Sequence, residues 1–320
     1  MPRFDVVTIG EGQLRYSVPA GNRLEDVDRL DVHACGTEAN VVSLLSRLGW
    51  HCGWLSRLPK TPLGRRVANQ FKLSGLDLSA VLWANEGRIA TYYVEYAGSP
   101  RSTQVYYDRA NTCFTNLDKN DIDWEYLTDT QILHLSGLTV PLSPNLSEIV
   151  LESVRRAKTK GVQVSFDLNY RRRIWSPEQA REALLPIINE SDILFCGRSD
   201  ALSVLGIDGE PKTIARRLAD FTAASFIITS LSQEGLIGWD REHFVCQPAC
   251  RVSIIDRIGA GDAMVAGVLH GILLGDFSKG IRYGAIAAAL ALTQYGDQVI
   301  TTREELEELA GADTSTDIYR

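Results

Sequence analysis

Asp256-Arg257-Ile258-Gly259-Ala260-Gly261-Asp262, followed at once by the apolar run 263–274, is the stretch whose reading decides the fold. Residues 251–255 read as a buried strand, the glycines as a turn, and the apolar run as the helix that the turn opens. Small residues in succession let the backbone approach a ligand closely, because no bulky side chain intervenes. The first N–H groups of such a helix lack intrahelical partners and carry the positive end of its dipole, which suits a phosphoryl anion. Asp262 falls in the first helical turn, placed to accept a proton from a hydroxyl held beside that anion. An anion hole next to a carboxylate base is what phosphoryl transfer to an alcohol requires. Taken alone, the stretch is equally compatible with an ordinary helix start whose acidic residue complements the dipole.

The bulk properties narrow the classes. At 320 residues, with 45% hydrophobic and 23% charged side chains, the chain can form one large α/β domain or two smaller ones. A net charge of −7 without a basic arm argues against nucleic-acid binding. The start, Met1-Pro2-Arg3-Phe4-Asp5-Val6-Val7, reads as a strand and not as a signal peptide. The runs 263–274 and 285–292 are too short to span a bilayer, so a soluble protein with no membrane partner is expected. Cys35, Cys52, Cys113, Cys196, Cys246 and Cys250 form no CxxC pair, which points to free thiols in a reducing cytoplasm. No metal held by protein ligands alone is expected; a nucleotide-bound magnesium needs no such cluster.

Strand-like runs (6–10, 52–58, 132–136, 162–168, 193–196, 226–229) alternate with helical patterns (37–48, 63–74, 143–160, 177–189, 214–221, and from 263 and 281). This rhythm means a mostly parallel sheet with helices on both faces, ligands binding at the C-terminal strand ends. A hairpin is expected between Gly235 and Arg251. Two segments break the rhythm: residues 13–35 lack a helix, and residues 88–111 alternate like strands around a Gly98-Ser99-Pro100 turn. They read as a small antiparallel sheet inserted as a lid into a single body, 1–320. Gly10-Glu11-Gly12 suggests a dinucleotide fingerprint, but Arg15 stands where the third glycine belongs and no helix follows. Gly-Lys-Ser/Thr, HExxH and GxSxG motifs are absent. Gly267, Gly271 and Gly275 share a helix face, which reads as close helix–sheet packing.

With these residues in hand, the chain resembles the ribokinase-type family of carbohydrate kinases, whose signature is Asp-Thr-x-Gly-Ala-Gly-Asp before a helix. Cys35-Gly36-Thr37-Glu38-Ala39-Asn40-Val41 is similar to the family's Gly-Gly-Ala-Glu-Ala-Asn-Val. Tyr106-Tyr107-Asp108-Arg109-Ala110, Asn169-Tyr170-Arg171 and Trp175-Ser176-Pro177-Glu178 resemble its 2-keto-3-deoxygluconate kinase branch. The resemblance implies a three-layer αβα sandwich with a mostly parallel sheet and a β lid, and an ATP- and Mg²⁺-dependent phosphorylation of a sugar acid to its 6-phosphate. By it, Asp262 is the base, and Gly259, Ala260 and Gly261 supply backbone N–H groups to the phosphoryl. Gly36, Asn40, Tyr92, Tyr107, Arg109, Arg171 and Asp297 would hold the sugar acid. Two arginines also suit a carboxylate on chemical grounds, whereas Tyr92 and Tyr107 read equally well as lid-packing aromatics. Asn169, Asp200, Ser230, Ser232 and Gly235, with Gly259 and Gly261, would face the nucleotide.

The chain departs from the family on that nucleotide side. The family's Asn-x-x-Glu is Gly197-Arg198-Ser199-Asp200 here, and Ser232 stands where many relatives have glycine. A kinase for another sugar, or a sugar-acid sensor that binds without transfer, are the alternative readings. Pairing of lid edges into a homodimer is the expected assembly.

Overall fold

The computed structural model describes residues 2–96 and 100–311. In chain order its elements are β1 (Phe4–Ile9), β2 (Gln13–Ser17), β3 (Asp31–Cys35), α1 (Thr37–Arg47), β4 (Cys52–Pro59), α2 (Pro62–Leu73), β5 (Val81–Ala84), β6 (Ala90–Glu95) and β7 (Gln104–Asp108). Then come α3 (Trp124–Thr128), β8 (Thr130–Ser136), α4 (Pro144–Lys160), β9 (Gln163–Asp167), α5 (Pro177–Glu190), β10 (Ile193–Phe195), α6 (Arg198–Leu205), α7 (Pro211–Leu218) and β11 (Phe226–Ser230). The hairpin β12 (Leu236–Trp239) and β13 (Phe244–Gln247) leads to α8 (Ala260–Leu273), α9 (Phe277–Leu292) and α10 (Arg303–Gly311).

The large sheet runs β13-β12-β11-β10-β9-β8-β1-β4-β5, parallel except for the terminal hairpin. Its strands are apolar on both faces, as strands between two helical layers must be. Val6, Ile132, Ile193 and Ile228 pack with α1, α2, α8 and α9, while their neighbours Val7, Leu133, Leu194 and Ile227 pack with α4 to α7. The helices begin where the sequence offers caps. Ser143 accepts from the Leu146 N–H ahead of α4, and Ser176 with Gln179 forms a reciprocal capping box at α5. The parallel three-layer architecture is therefore the one expected.

The smaller sheet runs β3-β2-β6-β7. It is mixed, not antiparallel as the alternation suggested, because β2 and β6 pair in parallel. Between them the chain passes through β3, α1, β4, α2 and β5, a crossover long enough to return in the same direction. Gly98 and Ser99 of the expected turn lie outside the described residues.

Two further expectations are corrected. Residues 251–255 form no strand: the sheet edge is already occupied by the β12–β13 hairpin, Ile254 and Ile255 are exposed, and the Ile255 N–H donates to the Leu292 carbonyl at the end of α9. The glycine face of α8 packs on a helix, not on the sheet. A Cβ on Gly271 would lie 2.1 Å from the Gly280 Cα, and one on Gly267 would lie 2.5 Å from the Tyr283 carbonyl oxygen. Gly275 follows the helix with φ +74° and takes no part in that contact. The α8–α9 approach fixes the helix whose first turn faces the cleft. Gly271→Ala is expected to cost about 1–3 kcal/mol by overpacking, read as a lower Tm in thermal unfolding; an unchanged Tm would contradict the close approach.

Candidate active site

A cleft of about 400 Å³ opens at the C-terminal ends of β9, β10 and β11, walled on the opposite side by the small sheet. Asp167 and Asn169 enter it from the end of β9, Gly197 and Asp200 from the N-cap and first turn of α6, and Ser230 from the end of β11. Gln13, Cys35, Tyr92 and Tyr107 face it from the small sheet. The start of α8 supplies Gly259, Gly261 and Asp262, and the loop after α9 supplies Asp297. Parallel strands end together on one side of a sheet, which is why residues so distant in sequence converge there.

The turn before α8 has the properties an anion site needs. Gly259 sits at φ +89°, and a Cβ there would lie 2.4 Å from the Asp297 carbonyl oxygen, so no other residue fits. A Cβ on Gly261 would meet nothing within 4 Å, which leaves open space at the helix N-terminus. Ala263 is the first residue whose N–H finds an α8 acceptor, the Gly259 carbonyl at 2.9 Å. The N–H groups of residues 260–262 thus precede the helical ladder. The Ala260 side chain does not line the cleft, and what it offers is its main chain.

Asp262 is buried in the first turn of α8, and Asn40 Nδ2 donates to its Oδ2 at 2.8 Å. The second amide atom, Asn40 Oδ1, is buried without a partner. Burial pushes the Asp262 pKa well above the ordinary carboxylate range, the Asn40 hydrogen bond opposes this, the charges of Asp297 and Asp167 add to it, and Arg171 opposes it. A carboxylate so placed is a strong proton acceptor once it is ionised.

The residues expected to hold a sugar acid all line the cleft, but their polar atoms differ in availability. Arg171 donates only to the adjacent Tyr170 carbonyl at 3.2 Å and has no ion-pair partner among the described residues. Arg109 directs Nε and Nη2 to Glu11 Oε2, each at 2.9 Å, so its charge is already matched. Tyr92 donates to Asp297 Oδ2 at 2.5 Å, and Asp297 Oδ1 accepts from Arg15 Nη1 at 3.0 Å. Tyr107 is half-exposed and leans on Tyr92 with ring centroids 5.7 Å apart. Gly36 precedes α1, where a Cβ would lie 2.4 Å from the Glu11 carbonyl oxygen.

On the other side, Asp200 Oδ2 accepts from the Tyr170 N–H at 3.1 Å. Burial, followed by the charge of Asp200, pushes Asp167 up to about 7, and burial raises Asp200 as well. Asn169 holds φ +43° beside them. Ser232 and Gly235, expected to face a nucleotide, do not line the cleft. A Cβ on Gly235 would lie 2.0 Å from the Gln247 carbonyl oxygen, so this glycine serves the hairpin contact. The two altered loops are tied together by a bidentate pair, Arg198 Nη1 to Glu234 Oε1 at 2.7 Å and Nη2 to Oε2 at 3.1 Å. No cluster of three or more metal-ligating side chains occurs among the described residues. Asp167 and Asp200, two carboxylates held near each other at a cost, still fit a magnesium ion that arrives on nucleotide phosphates.

The sequence reading missed Asp167, Arg257 and Arg15. Asp167 carried a signal, an acidic residue closing a buried parallel strand. Arg257 is exposed in the cleft within the signature turn itself. Arg15 carried none, since an arginine in a strand gives no hint that it will be fully buried.

Residues 4–304 match the pfkB family of carbohydrate kinases. The chain belongs to that family. It is 35% identical over 316 residues to a 2-dehydro-3-deoxygalactonokinase of Haloferax volcanii, covering 98% of this chain and 99% of that protein. It is 27% identical to a 2-dehydro-3-deoxygluconokinase of Bacillus subtilis, covering 97% of this chain and 96% of that protein. The crystal structure of a 2-dehydro-3-deoxygluconokinase from Thermotoga maritima superposes with a TM-score of 0.92 at 31% identity, covering 97% of this chain and all of that one. The protein is therefore a sugar kinase with a ribokinase-like fold, of a family that uses ATP. No helix among the described residues is long and apolar enough to cross a membrane.

An Asp262 base acts ionised, so turnover should rise with pH through its pKa. Asn40→Ala removes a hydrogen bond that favours the ionised form, and the acid limb of the kcat/KM profile should move to higher pH. An unmoved limb with normal folding would mean that Asp262 is not the titrating base.

Proposed function

We propose that this kinase transfers the terminal phosphoryl group of ATP to the primary hydroxyl of a 2-keto-3-deoxy sugar acid, either 2-keto-3-deoxygluconate or its C4 epimer, giving the 6-phosphate. The observation that carries this reading is the placement of Asp262 at the open N-terminus of α8, with an unpaired arginine, Arg171, in the same cleft. The names of the full-length relatives support the substrate class, one of them galacto and two gluco in configuration.

In this reading the donor phosphoryl lies over Gly261 and receives hydrogen bonds from the first N–H groups of α8. Asp262 takes the proton of the primary hydroxyl as the new O–P bond forms and the bond to ADP breaks. Arg171 pairs with the sugar carboxylate through charge-assisted hydrogen bonds. Asn40 holds Asp262 with Nδ2, leaving Oδ1 to accept from a sugar hydroxyl. Asp167 and Asp200 would hold magnesium together with donor phosphates, where the metal neutralises phosphate charge. The small sheet covers the acceptor side and keeps water from the phosphoryl group. The buried thiols Cys35, Cys52, Cys113 and Cys196 fit work in a reducing cytoplasm.

Assembly through the small sheet belongs to the same reading. Val32, Tyr16, Tyr93 and Tyr106 stand opposite one another across its four strands, and directly opposed residues share a face. Tyr106 is half-exposed. Tyr93→Glu with Tyr106→Glu should convert a dimer to a monomer in sedimentation; a wild-type monomer at micromolar concentration would contradict the assembly.

The test of the chemistry is ADP release over a panel of sugars and sugar acids. Both 2-keto-3-deoxy acids should outrun neutral sugars, and Asp262→Asn should lose about 10²–10⁴-fold in kcat while still binding the acid. Turnover confined to neutral sugars would overturn the substrate class, and an active Asp262→Asn would overturn the base.

A further inference from the structure

Arg15 is the one arginine among the described residues with no exposed surface, and the small sheet carries it directly against the loop that forms the anion site. Its Nη2 reaches Asp256 Oδ2 at 2.5 Å, its Nη1 reaches Asp297 Oδ1 at 3.0 Å, and its Nε donates to Ser17 Oγ at 2.9 Å. Tyr96 lies against Nη2 and donates to Asp256 Oδ2 at 2.8 Å. Burial opposes the Arg15 charge, but the surrounding carboxylates, Asp297 first, outweigh that and hold it more firmly protonated than an ordinary arginine.

Both carboxylates lead straight to the turn. Asp256 Oδ1 accepts from the Ile258 N–H at 3.1 Å, and Oδ2 accepts from the Gly296 N–H at 3.2 Å. Asp297 presents the backbone against which Gly259 is pressed. A planar guanidinium with several fixed donors can hold two carboxylates at a set separation, which a point charge on a flexible stem cannot.

We propose that Arg15 is a positioning residue for phosphoryl transfer: its fork locks Asp256 and Asp297 together and so fixes residues 258–262 in their anion-binding shape. It also anchors the β2 side of the small sheet to the turn. Lifting β2 away from the turn would strip a buried cation from two carboxylates. The inference rests on the kinase reading for its rate measurement only.

The test compares wild type with Arg15→Lys, Arg15→Met and Arg15→Met/Asp256→Asn. Each is measured for Tm, for kcat and KM with whichever sugar the wild type turns over, and for amide hydrogen exchange of residues 256–262. Arg15→Met leaves two buried carboxylates without their cation and can fail to fold. The double variant restores the wild-type charge balance of the cluster, and Arg15→Lys keeps the charge but loses the fork. Both should keep a folded core with kcat lower by about tenfold or more, sugar KM little changed, and faster exchange in the turn. A double variant or Arg15→Lys with wild-type kcat and wild-type exchange would overturn the proposal and reduce Arg15 to a counter-charge. Unfolding of both would also overturn it, since the residue would then be structural throughout. The exchange measurement needs no substrate, so a wild type inactive on every sugar acid would refute the substrate reading and leave the comparison intact.

Discussion

The contact of Gly259 with the Asp297 backbone is the constraint on which the site depends. It forces a left-handed glycine at the start of α8, aims the first helical N–H groups at the cleft, and sets Asp262 one residue beyond the open position at Gly261. Everything around it keeps that contact in place. The glycine seam between α8 and α9 sets the helix behind it, and Arg15 with Asp256 fixes the loop in front. The turn before α8 is thus clamped from both ends, by close packing on one side and by buried charge on the other.

That clamp leaves an unusual electrostatic arrangement. Asp167, Asp200, Asp262 and Asp297 crowd one cleft, and the cations near them are unevenly committed. Arg15 and Arg109 are paired with Asp256, Asp297 and Glu11. Arg171 and Arg257 line the cleft without an ion-pair partner among the described residues. The proposed chemistry gives these carboxylates a division of labour: Asp262 for the proton, Asp167 and Asp200 for a cation carried in by the nucleotide.

The layers of the fold were legible because parallel strands write themselves as doubly apolar runs, and the turn was legible because its glycines and Asp262 are consecutive. Local readings failed where a residue's meaning is set by a distant partner. Residues 251–255 look like a strand, but the hairpin takes the sheet edge and α9 takes their backbone. The α8 glycines announced close packing without saying that α9, not the sheet, lies against them. Arg15 seemed only to spoil a dinucleotide fingerprint, yet its partners lie more than two hundred residues away. Arg109 looked free because nothing in sequence ties it to Glu11. The substituted nucleotide loops read as losses; the Arg198–Glu234 pair that joins them needed coordinates to be seen.

The most direct measurement is a crystal structure of the ternary complex with a non-hydrolysable ATP analogue and 2-keto-3-deoxygluconate. The account predicts the terminal phosphoryl over Gly261, the primary hydroxyl at about 3 Å from an Asp262 oxygen, and the sugar carboxylate on Arg171. A terminal phosphoryl held away from the start of α8, or a sugar whose primary hydroxyl does not face Asp262, would contradict it.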